Sequence, residues 1–168
     1  IEILQKILNL NGPDFRMRDV DLLLRMIAYS HRLSAYKGNL KEFLDTTHDN
    51  MNAHWDSLSP IITRLTDDIT AALIFLAKNF KSPLKVGRRV KNGEFESSIN
   101  RALLDVQLAS TLSPKNQSLY DDKGIDFSEL TFELCMNNSD FVESISGTTK
   151  TTTAVRTRYV IWRAAIES

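Results

Sequence analysis

The fold is decided by residues 16–44, which read RMRDVDLLLRMIAYSHRLSAYKGNLKEFL. The first half of this stretch predicts a helix, because its apolar residues recur at spacings of three and four. These residues are Val20, Leu23, Leu24, Ile27 and Ala28. Leu22 and Met26 widen the apolar surface, and a helix that is apolar on most sides belongs at the centre of a core.

Capping residues predict where this helix and the others begin. Their side chains can accept hydrogen bonds from the free N–H groups of a first helical turn. We expect such caps at Asp19, Asn39, Ser59, Ser97 or Ser98, and Asp126. Turns are predicted at residues 11–14, where a glycine precedes a proline, and at Gly38, which favours a left-handed backbone.

Helical spacing continues along the rest of the chain. The apolar repeats cover residues 3–10, 40–55, 61–80, 99–112, 127–141 and 155–166. Residues 78–93 are polar and basic and include one proline and two glycines, which predicts a loop. No segment shows the alternation of apolar and polar residues, with a period of two, that is typical of strands. The sequence therefore predicts an all-α fold, a single bundle-like domain of about seven helices over residues 1–168.

Charge balance and the single cysteine exclude several classes of protein. Lys and Arg total 21, as do Asp and Glu, so no overall charge directs the chain to nucleic acid or to an anionic membrane. Cys135 has no partner for an internal disulfide, which fits a reducing compartment. The longest apolar run, residues 71–77, is far shorter than the roughly 20 residues that span a bilayer. We therefore expect a cytoplasmic protein without membrane contact.

One predicted helix face combines acidic residues with a histidine, at Asp45, His48, Asp49 and Asn52. This spacing resembles half of a metal site in a helical bundle, but the sequence has no second acidic pair with a histidine. A solvated polar face is the favoured interpretation. Cys135 lies among apolar residues without a nearby base, which indicates a buried side chain rather than a nucleophile. The sequence predicts no catalytic residue, metal or cofactor.

Two basic segments are candidates for contact with nucleic acid. Residues 78–91 and 150–163 contain several lysines and arginines and no acidic residue. Clustered cations can bind phosphate backbones without reading base sequence, and the alternative is an ordinary solvated surface. The candidate contacts are Lys85, Arg88, Arg89, Lys91, Lys150, Arg156 and Arg158. Residues 147–150 read GTTK, which favours a turn, with a phosphate bound by Lys150 and the next helix N-terminus as the alternative.

Three stretches of the chain resemble conserved segments of a known protein family. The first comprises RDVD at residues 18–21, LRMIA at 24–28 and YKGNLKEFL at 36–44. The second is SINRALLD at 98–105, and the third comprises Phe141, GTT at 147–149 and VRTR at 155–158. Together they resemble the helical part of the GmrSD-like family, the modification-dependent restriction endonucleases and their relatives of unknown function. The matching polar positions are Arg18, Asp19, Asp21, Arg25 and Arg158.

The resemblance implies that this chain is the C-terminal helical part of a longer protein. Family members have an N-terminal ParB/sulfiredoxin-like domain with an Asp-Gly-Gln-Gln-Arg motif tied to nucleotide hydrolysis, and many add an HNH-type nuclease domain. Neither motif occurs in these residues. The implied function is a scaffold in phage defence that packs on the N-terminal domain and helps to position DNA, without catalysis by this chain alone. The alternatives are a helical protein-interaction module and an enzyme that uses the Asp45 face.

The sequence also predicts which apolar side chains are covered. Trp55 and Trp162 should both be buried in one core. Ile3, Ile7 and the second helix should expose an apolar patch to the missing N-terminal domain, because monomeric domains rarely leave such patches uncovered.

Two predictions concern arginines. Arg25 lies on a strongly apolar helix, and we expect it to pair with a carboxylate such as Asp21, one turn before it. Replacement of Arg88 and Arg89 by glutamate should leave folding intact. Changes of surface charge usually alter the free energy of unfolding by only about half a kcal/mol.

Overall fold

A computed structural model describes residues 1–12 and 14–167 and shows the predicted all-α fold. These residues form nine α-helices, two short 3-10 helices and one β-hairpin. The α-helices are α1 (Glu2–Ile7), α2 (Arg18–Arg32), α3 (Leu40–Ala53), α4 (Trp55–Asn79), α5 (Arg101–Thr111), α6 (Pro114–Lys123), α7 (Phe127–Asn137), α8 (Ser139–Ser146) and α9 (Thr152–Glu167). The 3-10 helices are Leu33–Ala35 and Pro83–Lys85, and the strands are β1 (Val90–Lys91) and β2 (Glu94–Phe95).

The sequence analysis predicted about seven helices, and the described residues contain nine α-helices. Two local features explain the difference. Pro114 has the fixed backbone angle of a first helical residue, and α6 continues from it for 10 residues. The repeat over residues 127–141 is divided between α7 and α8. The division occurs because the Asn138 side chain accepts a hydrogen bond from the Phe141 N–H and so caps a new helix.

Asn39 and Asp126 cap their helices as predicted. The Asn39 side-chain oxygen accepts a hydrogen bond from the Glu42 N–H at 3.3 Å. One Asp126 carboxylate oxygen accepts from the N–H groups of Ser128 and Glu129 at 2.8 and 3.1 Å. Both side chains thus satisfy donors that a first helical turn leaves free.

Two other predicted caps are wrong. Asp19 lies within the first turn of α2, because the helix begins one residue earlier, after Met17 with a left-handed φ of 54°. Ser59 is not a cap either, since α4 already begins at Trp55 and includes Pro60. Pro60 lies beyond the first turn of α4, so it removes one hydrogen bond from within the helix, and the other residues of this 25-residue helix keep it intact.

The cap of α5 was predicted a few residues too early. Asn100, rather than either serine at 97–98, accepts the Leu103 N–H at 2.9 Å. At the other end of the chain, α1 ends at Ile7. Pro13 of the turn predicted at residues 11–14 lies outside the described residues.

The basic loop that follows α4 contains a hairpin that the sequence analysis did not predict. Val90 pairs with Phe95, and Lys91 pairs with Glu94, in antiparallel register. The two turn residues are an Asn-Gly pair at 92–93, with φ of 54° and 83°. An Asn-Gly pair between short runs is a strong hairpin signal, so the local sequence held enough information to find this element.

The core is built around α4. Its Ile69, Ala72, Leu73 and Leu76 are completely buried, and the helix contacts α1, α2, α3, α5 and α7. Aromatic side chains fill the space towards α9, namely Phe75, Phe80, Tyr120, Phe127, Phe141 and Trp162. A second, smaller cluster contains Ala28, Tyr29, Tyr36, Phe43 and Val155. The described residues thus form one main core with a satellite cluster beside α2.

Of the apolar patch predicted at Ile3, Ile7 and the second helix, the part at Ile7 is wrong, whereas Ile3 is half-buried and Val20 of α2 is 56% exposed. Leu4 and Ile7 are completely or almost completely buried, because α1 packs on α4 and on the Pro83–Lys85 turn. The short helix therefore covers its own apolar face within the domain.

The prediction for the two tryptophans is confirmed for Trp162 and wrong for Trp55. Trp162 is 1% exposed, whereas Trp55 is 53% exposed. The apolar face of α3 ends with that helix at Ala53, so Trp55 does not extend it. Among the described residues, no helix combines the length and the apolar character that a membrane crossing requires.

Candidate functional site

The polar centre of the domain is an ion pair between α2 and α5. The Nε and Nη2 atoms of Arg25 donate to the two carboxylate oxygens of Asp105 at 2.9 and 2.5 Å. Both side chains are buried, with exposed fractions of 7% and 1%. The predicted pairing of Arg25 with a carboxylate is therefore confirmed, but the partner is Asp105 and not Asp21. Asp21 lies on the outer side of α2 and instead accepts a hydrogen bond from Arg101 at 2.7 Å.

A second guanidinium, that of Arg158 on α9, lies behind this ion pair. Its Nη1 atom donates to the backbone oxygens of Ser144 and Thr149 at 3.3 and 2.9 Å. Its Nη2 atom is 3.9 Å from the nearer Asp105 oxygen. Arg158 is completely buried, and its Nε and Nη2 atoms have no hydrogen-bond acceptor among the described residues.

Tyrosines enclose the charged groups. The Arg25 guanidinium lies 5.0 Å from the centre of the Tyr29 ring, a distance at which the ring attracts a cation. The Tyr36 hydroxyl donates to the Lys150 backbone oxygen at 2.5 Å, and the Tyr159 hydroxyl donates to the Asp105 backbone oxygen at 3.4 Å. These contacts connect the satellite cluster to the segment between α8 and α9.

Burial disfavours the charged forms of Arg25, Asp105 and Arg158. Burial raises the pKa of Asp105 above its ordinary value, and the attraction of Arg25 and Arg158 acts against that shift. The bidentate guanidinium keeps the carboxylate ionised, because such charge-assisted hydrogen bonds are strong. Burial also lowers the pKa of Arg158, since Asp105 is too distant to offset it. Arginine stays protonated in proteins, so two cations share one carboxylate.

A cavity of about 440 Å³ lies beside Arg25. Its lining includes the cations Arg25, Arg101 and Lys150, together with Asn100 and Ala102 at the start of α5. The lining also includes the largely apolar side chains of Tyr29, Leu40, Ile99 and Ile145. Its volume lies within the roughly 300–1,000 Å³ that is usual for small-molecule pockets. This cavity, with the cluster behind it, is the candidate functional site.

Two of the predicted nucleic-acid contacts are buried and cannot bind a phosphate backbone at the surface. Arg158 belongs to the cluster described above. Arg88 is 5% exposed and donates to the backbone oxygens of Ile7, Val86 and Ser97 at 2.8, 3.2 and 3.3 Å. It therefore holds the end of α1 against the basic loop, and its role is structural.

The other predicted contacts are at least partly exposed. Lys91, Lys150 and Arg156 are exposed, while Lys85 and Arg89 are half-buried. The ammonium of Lys85 lies 5.2 Å from the centre of the Phe95 ring. Arg89 pairs with Glu96 through two hydrogen bonds of 3.0 and 2.8 Å, so its charge is already balanced.

Contact between Arg89 and α8 brings the two basic segments close to each other. The Arg89 Nη1 atom donates to the Ser146 hydroxyl at 2.5 Å, and α8 ends at Ser146. The next residues lead directly to Lys150. The first basic segment thus reaches the start of the second, although 57 positions separate the residues in contact.

The remaining candidates from the sequence form no site in the described residues. His48 lies 3.8 Å from Asp49 on an exposed face of α3, and no group of three His, Cys, Asp or Glu residues in the described ranges could hold a metal ion. Cys135 is buried as predicted, and burial raises the pKa of its thiol. A raised thiol pKa lowers the thiolate fraction that nucleophilic attack requires.

The fold and the site define a helical domain whose charged centre joins α2, α5 and α9. Comparison of the chain with family models, with curated proteins and with solved structures gives no match. Sequence reasoning named Arg25 and Arg158 as polar positions, but it missed Asp105 as their common partner. Asp105 could have been suspected, because it is the one acidic residue within the apolar repeat of α5.

Proposed function

We propose that this domain is the helical part of a GmrSD-like protein, a scaffold that packs on a nucleotide-hydrolysing N-terminal domain and helps to position DNA. One observation carries the proposal. The three stretches that resemble the family supply Arg25, Asp105 and Arg158, and these residues meet in one buried cluster. Matching residues that contact each other support a common scaffold better than matching residues scattered over the surface would.

The proposed contact with DNA depends on the exposed cations. Lys91, Lys150 and Arg156 form no salt bridge within 4 Å in the described part of the chain. Cations without acidic partners can neutralise phosphates and release counterions, which gives affinity without sequence specificity. Arg88 and Arg158, which are buried, have no part in this contact.

A mobility-shift assay with duplex DNA at two salt concentrations tests the proposed contact. The triple variant Lys91→Glu, Lys150→Glu, Arg156→Glu should bind more weakly and with a smaller dependence on salt, since the salt dependence reports the number of phosphates neutralised. The matched control is Lys6→Glu, Lys41→Glu, Arg163→Glu, which makes the same change of charge at exposed positions elsewhere. Equal losses of DNA affinity in both variants would contradict a defined DNA-binding face.

The family assignment has its own test, which is independent of DNA binding. The reading frame upstream of Ile1 should encode an Asp-Gly-Gln-Gln-Arg motif in a domain of the ParB/sulfiredoxin type. A start codon immediately before Ile1 would contradict the assignment. The phage-defence role and the cytoplasmic location are parts of the same proposal.

The proposal gives this chain no catalytic activity of its own. Phosphoryl transfer requires a positioned cation clamp or metal and a group that orients the nucleophile. ATP and GTP turnover and plasmid cleavage with added magnesium should therefore be absent from the purified chain. Turnover that is lost in Asp45→Ala or Asp49→Ala would instead favour an enzyme that uses the exposed face of α3.

A second candidate function is a protein-interaction module. It is favoured by an apolar groove of about 600 Å³ between α5, α6 and α9, where Leu119 and Val160 are 48% and 58% exposed. The mobility-shift assay separates the two candidates. An interaction module should show no shift at either salt concentration, whereas the DNA-positioning scaffold should show a shift at low salt.

A further inference from the structure

The cavity beside Arg25 has an excess of positive charge. Arg25, Arg101 and Lys150 line it, and Arg158 lies behind Asp105. Among the described residues, two carboxylates, Asp21 and Asp105, pair with these four cations. Two positive charges are therefore left without a partner in this group, and an anion in the cavity would balance them.

The start of α5 adds backbone donors to the lining of the same cavity. Asn100 accepts the Leu103 N–H and thereby caps the helix. The N–H groups of Arg101 and Ala102 have no acceptor in the described part of the chain, as is usual in a first helical turn. Both residues line the cavity, and helix N-termini favour anions because of their free donors and the helix dipole.

The buried guanidinium of Arg158 contributes positive charge close to this cavity, although Arg158 is not among the residues that line it. A completely buried cation usually has its donors satisfied, yet Nε and Nη2 of Arg158 lack acceptors among the described residues. Its Nη1 atom is hydrogen-bonded to the Thr149 backbone oxygen, and Thr149 lines the cavity. The positive charge therefore lies directly behind the cavity wall.

We propose that this cavity binds a phosphate monoester whose organic group contacts the apolar residues of the lining. The phosphate would accept hydrogen bonds from Arg101, Lys150 and the first N–H groups of α5. Tyr29, Leu40 and Ile99 would contact the organic group. A cavity of about 440 Å³ is larger than a bare phosphate requires, which favours a ligand of nucleotide size. The inference does not depend on the proposed contact with DNA.

Isothermal titration calorimetry with adenosine monophosphate tests the site, with adenosine, inorganic phosphate and a short DNA duplex as further probes. Adenosine monophosphate should bind, and adenosine should bind far more weakly, because it lacks the phosphate. The variant Arg101→Ala, Lys150→Ala should weaken binding by roughly tenfold or more. A hydrogen bond to a charged group contributes at least as much as the about 1.4 kcal/mol that a factor of ten represents.

Two further variants distinguish a loss of the binding site from a loss of the fold. Asp21→Asn should tighten binding severalfold, because it removes the carboxylate that competes for Arg101. Lys115→Ala, Arg163→Ala removes two exposed cations that neither line the cavity nor adjoin a lining residue in the chain, and it should leave binding unchanged. Circular dichroism should show the same helix content in all variants, since every altered side chain is exposed.

The outcomes separate the sources of the phosphate and the two proposals. If only the duplex binds, the inference fails, because the internal phosphates of a duplex are diesters and Lys150 also belongs to the proposed DNA-binding face. If adenosine monophosphate binds while the duplex does not, the phosphate site stands and the DNA-positioning function fails. Absence of binding by every phosphate probe, or binding that neither the Arg101/Lys150 variant nor Asp21→Asn changes, would overturn the inference.

Discussion

The Arg25 guanidinium and the Asp105 carboxylate form a bidentate ion pair although 80 positions separate them in the chain. The pair joins α2 to α5, and both side chains are buried. A buried ion pair need not stabilise a fold relative to apolar residues, but loss of one partner leaves a buried charge without compensation. The pair therefore fixes how these two helices meet, and its residues cannot be changed singly without cost.

Asp105→Asn should lower the free energy of unfolding by about 3–5 kcal/mol, because Arg25 and Arg158 would then be buried without a counter-charge. Urea denaturation followed by circular dichroism measures the change. The matched control is Asp45→Asn, which disrupts the exposed pair of Asp45 with Lys41 and should cost less than about 1 kcal/mol. The explanation would be wrong if Asp105→Asn cost no more than this control.

A double variant distinguishes lost pairing from lost packing. Arg25→Met with Asp105→Leu removes both charges and keeps the space filled, so it should be less destabilised than Asp105→Asn alone. Urea denaturation measures the free energy of unfolding of the double variant. A larger loss in the double variant would show that Arg158 still needs the Asp105 carboxylate when Arg25 is absent.

Arg88→Ala should lower the free energy of unfolding by at least about 2 kcal/mol, since it leaves three backbone oxygens without this donor and each unsatisfied buried group costs about 1–3 kcal/mol. The sequence alone predicted that glutamate at 88 and 89 would leave folding intact. Burial of Arg88 reverses that expectation, and the change should appear in the urea midpoint. Arg89→Ala is the neighbouring control and should cost less, because Arg89 is 22% exposed. Equal effects of the two variants would contradict the structural role of Arg88.

Local signals in the sequence were sufficient for the fold class and for several helix ends. Asn39 and Asp126 act through bonds to N–H groups two or three residues away, so their roles can be recognised without tertiary structure. The start of α4 could not be found in this way. Pro60 is a typical first helical residue, but α4 already begins at Trp55, where no side chain caps it.

The candidate site could be predicted only in part, because its contacts join distant segments. Arg25 has Asp21 one turn away, and a local rule selects that neighbour. The structure instead brings Asp105 to Arg25 by packing α2 on α5. Likewise, the basic character of residues 78–91 indicates a charged surface, but composition cannot show that Arg88 points inwards to Ile7.

The two tryptophans should give separable fluorescence signals. Trp55→Phe should leave a protein that emits at short wavelength, because Trp162 is 1% exposed and its indole N–H donates to Ser110 at 3.1 Å. Trp162→Phe should leave emission at longer wavelength, from the 53% exposed Trp55. Acrylamide quenching should be strong in the second variant and weak in the first. The reverse order would contradict the placement of α4.

Stability of the domain should depend on pH through Asp126. Hydrogen bonds from the Glu129 N–H, with further ones from Lys81 and Ser128, lower the pKa of Asp126 below its ordinary value despite the opposing effect of burial. A carboxyl whose folded pKa is lowered stabilises the fold above its unfolded pKa of about 3.9. That contribution is lost as the pH falls through the folded pKa.

Asp126→Asn isolates this contribution, because asparagine is also a good N-cap but does not titrate. At pH 7 the wild type should be the more stable of the two, since the carboxylate also accepts a hydrogen bond from Lys81 at 3.0 Å. The difference in the free energy of unfolding should shrink as the pH is lowered below about 4, where the unfolded carboxyl becomes protonated. Urea denaturation of both proteins across this pH range measures it. A difference that stays constant with pH would show that the charge of Asp126 does not contribute and that its cap acts through hydrogen bonds alone.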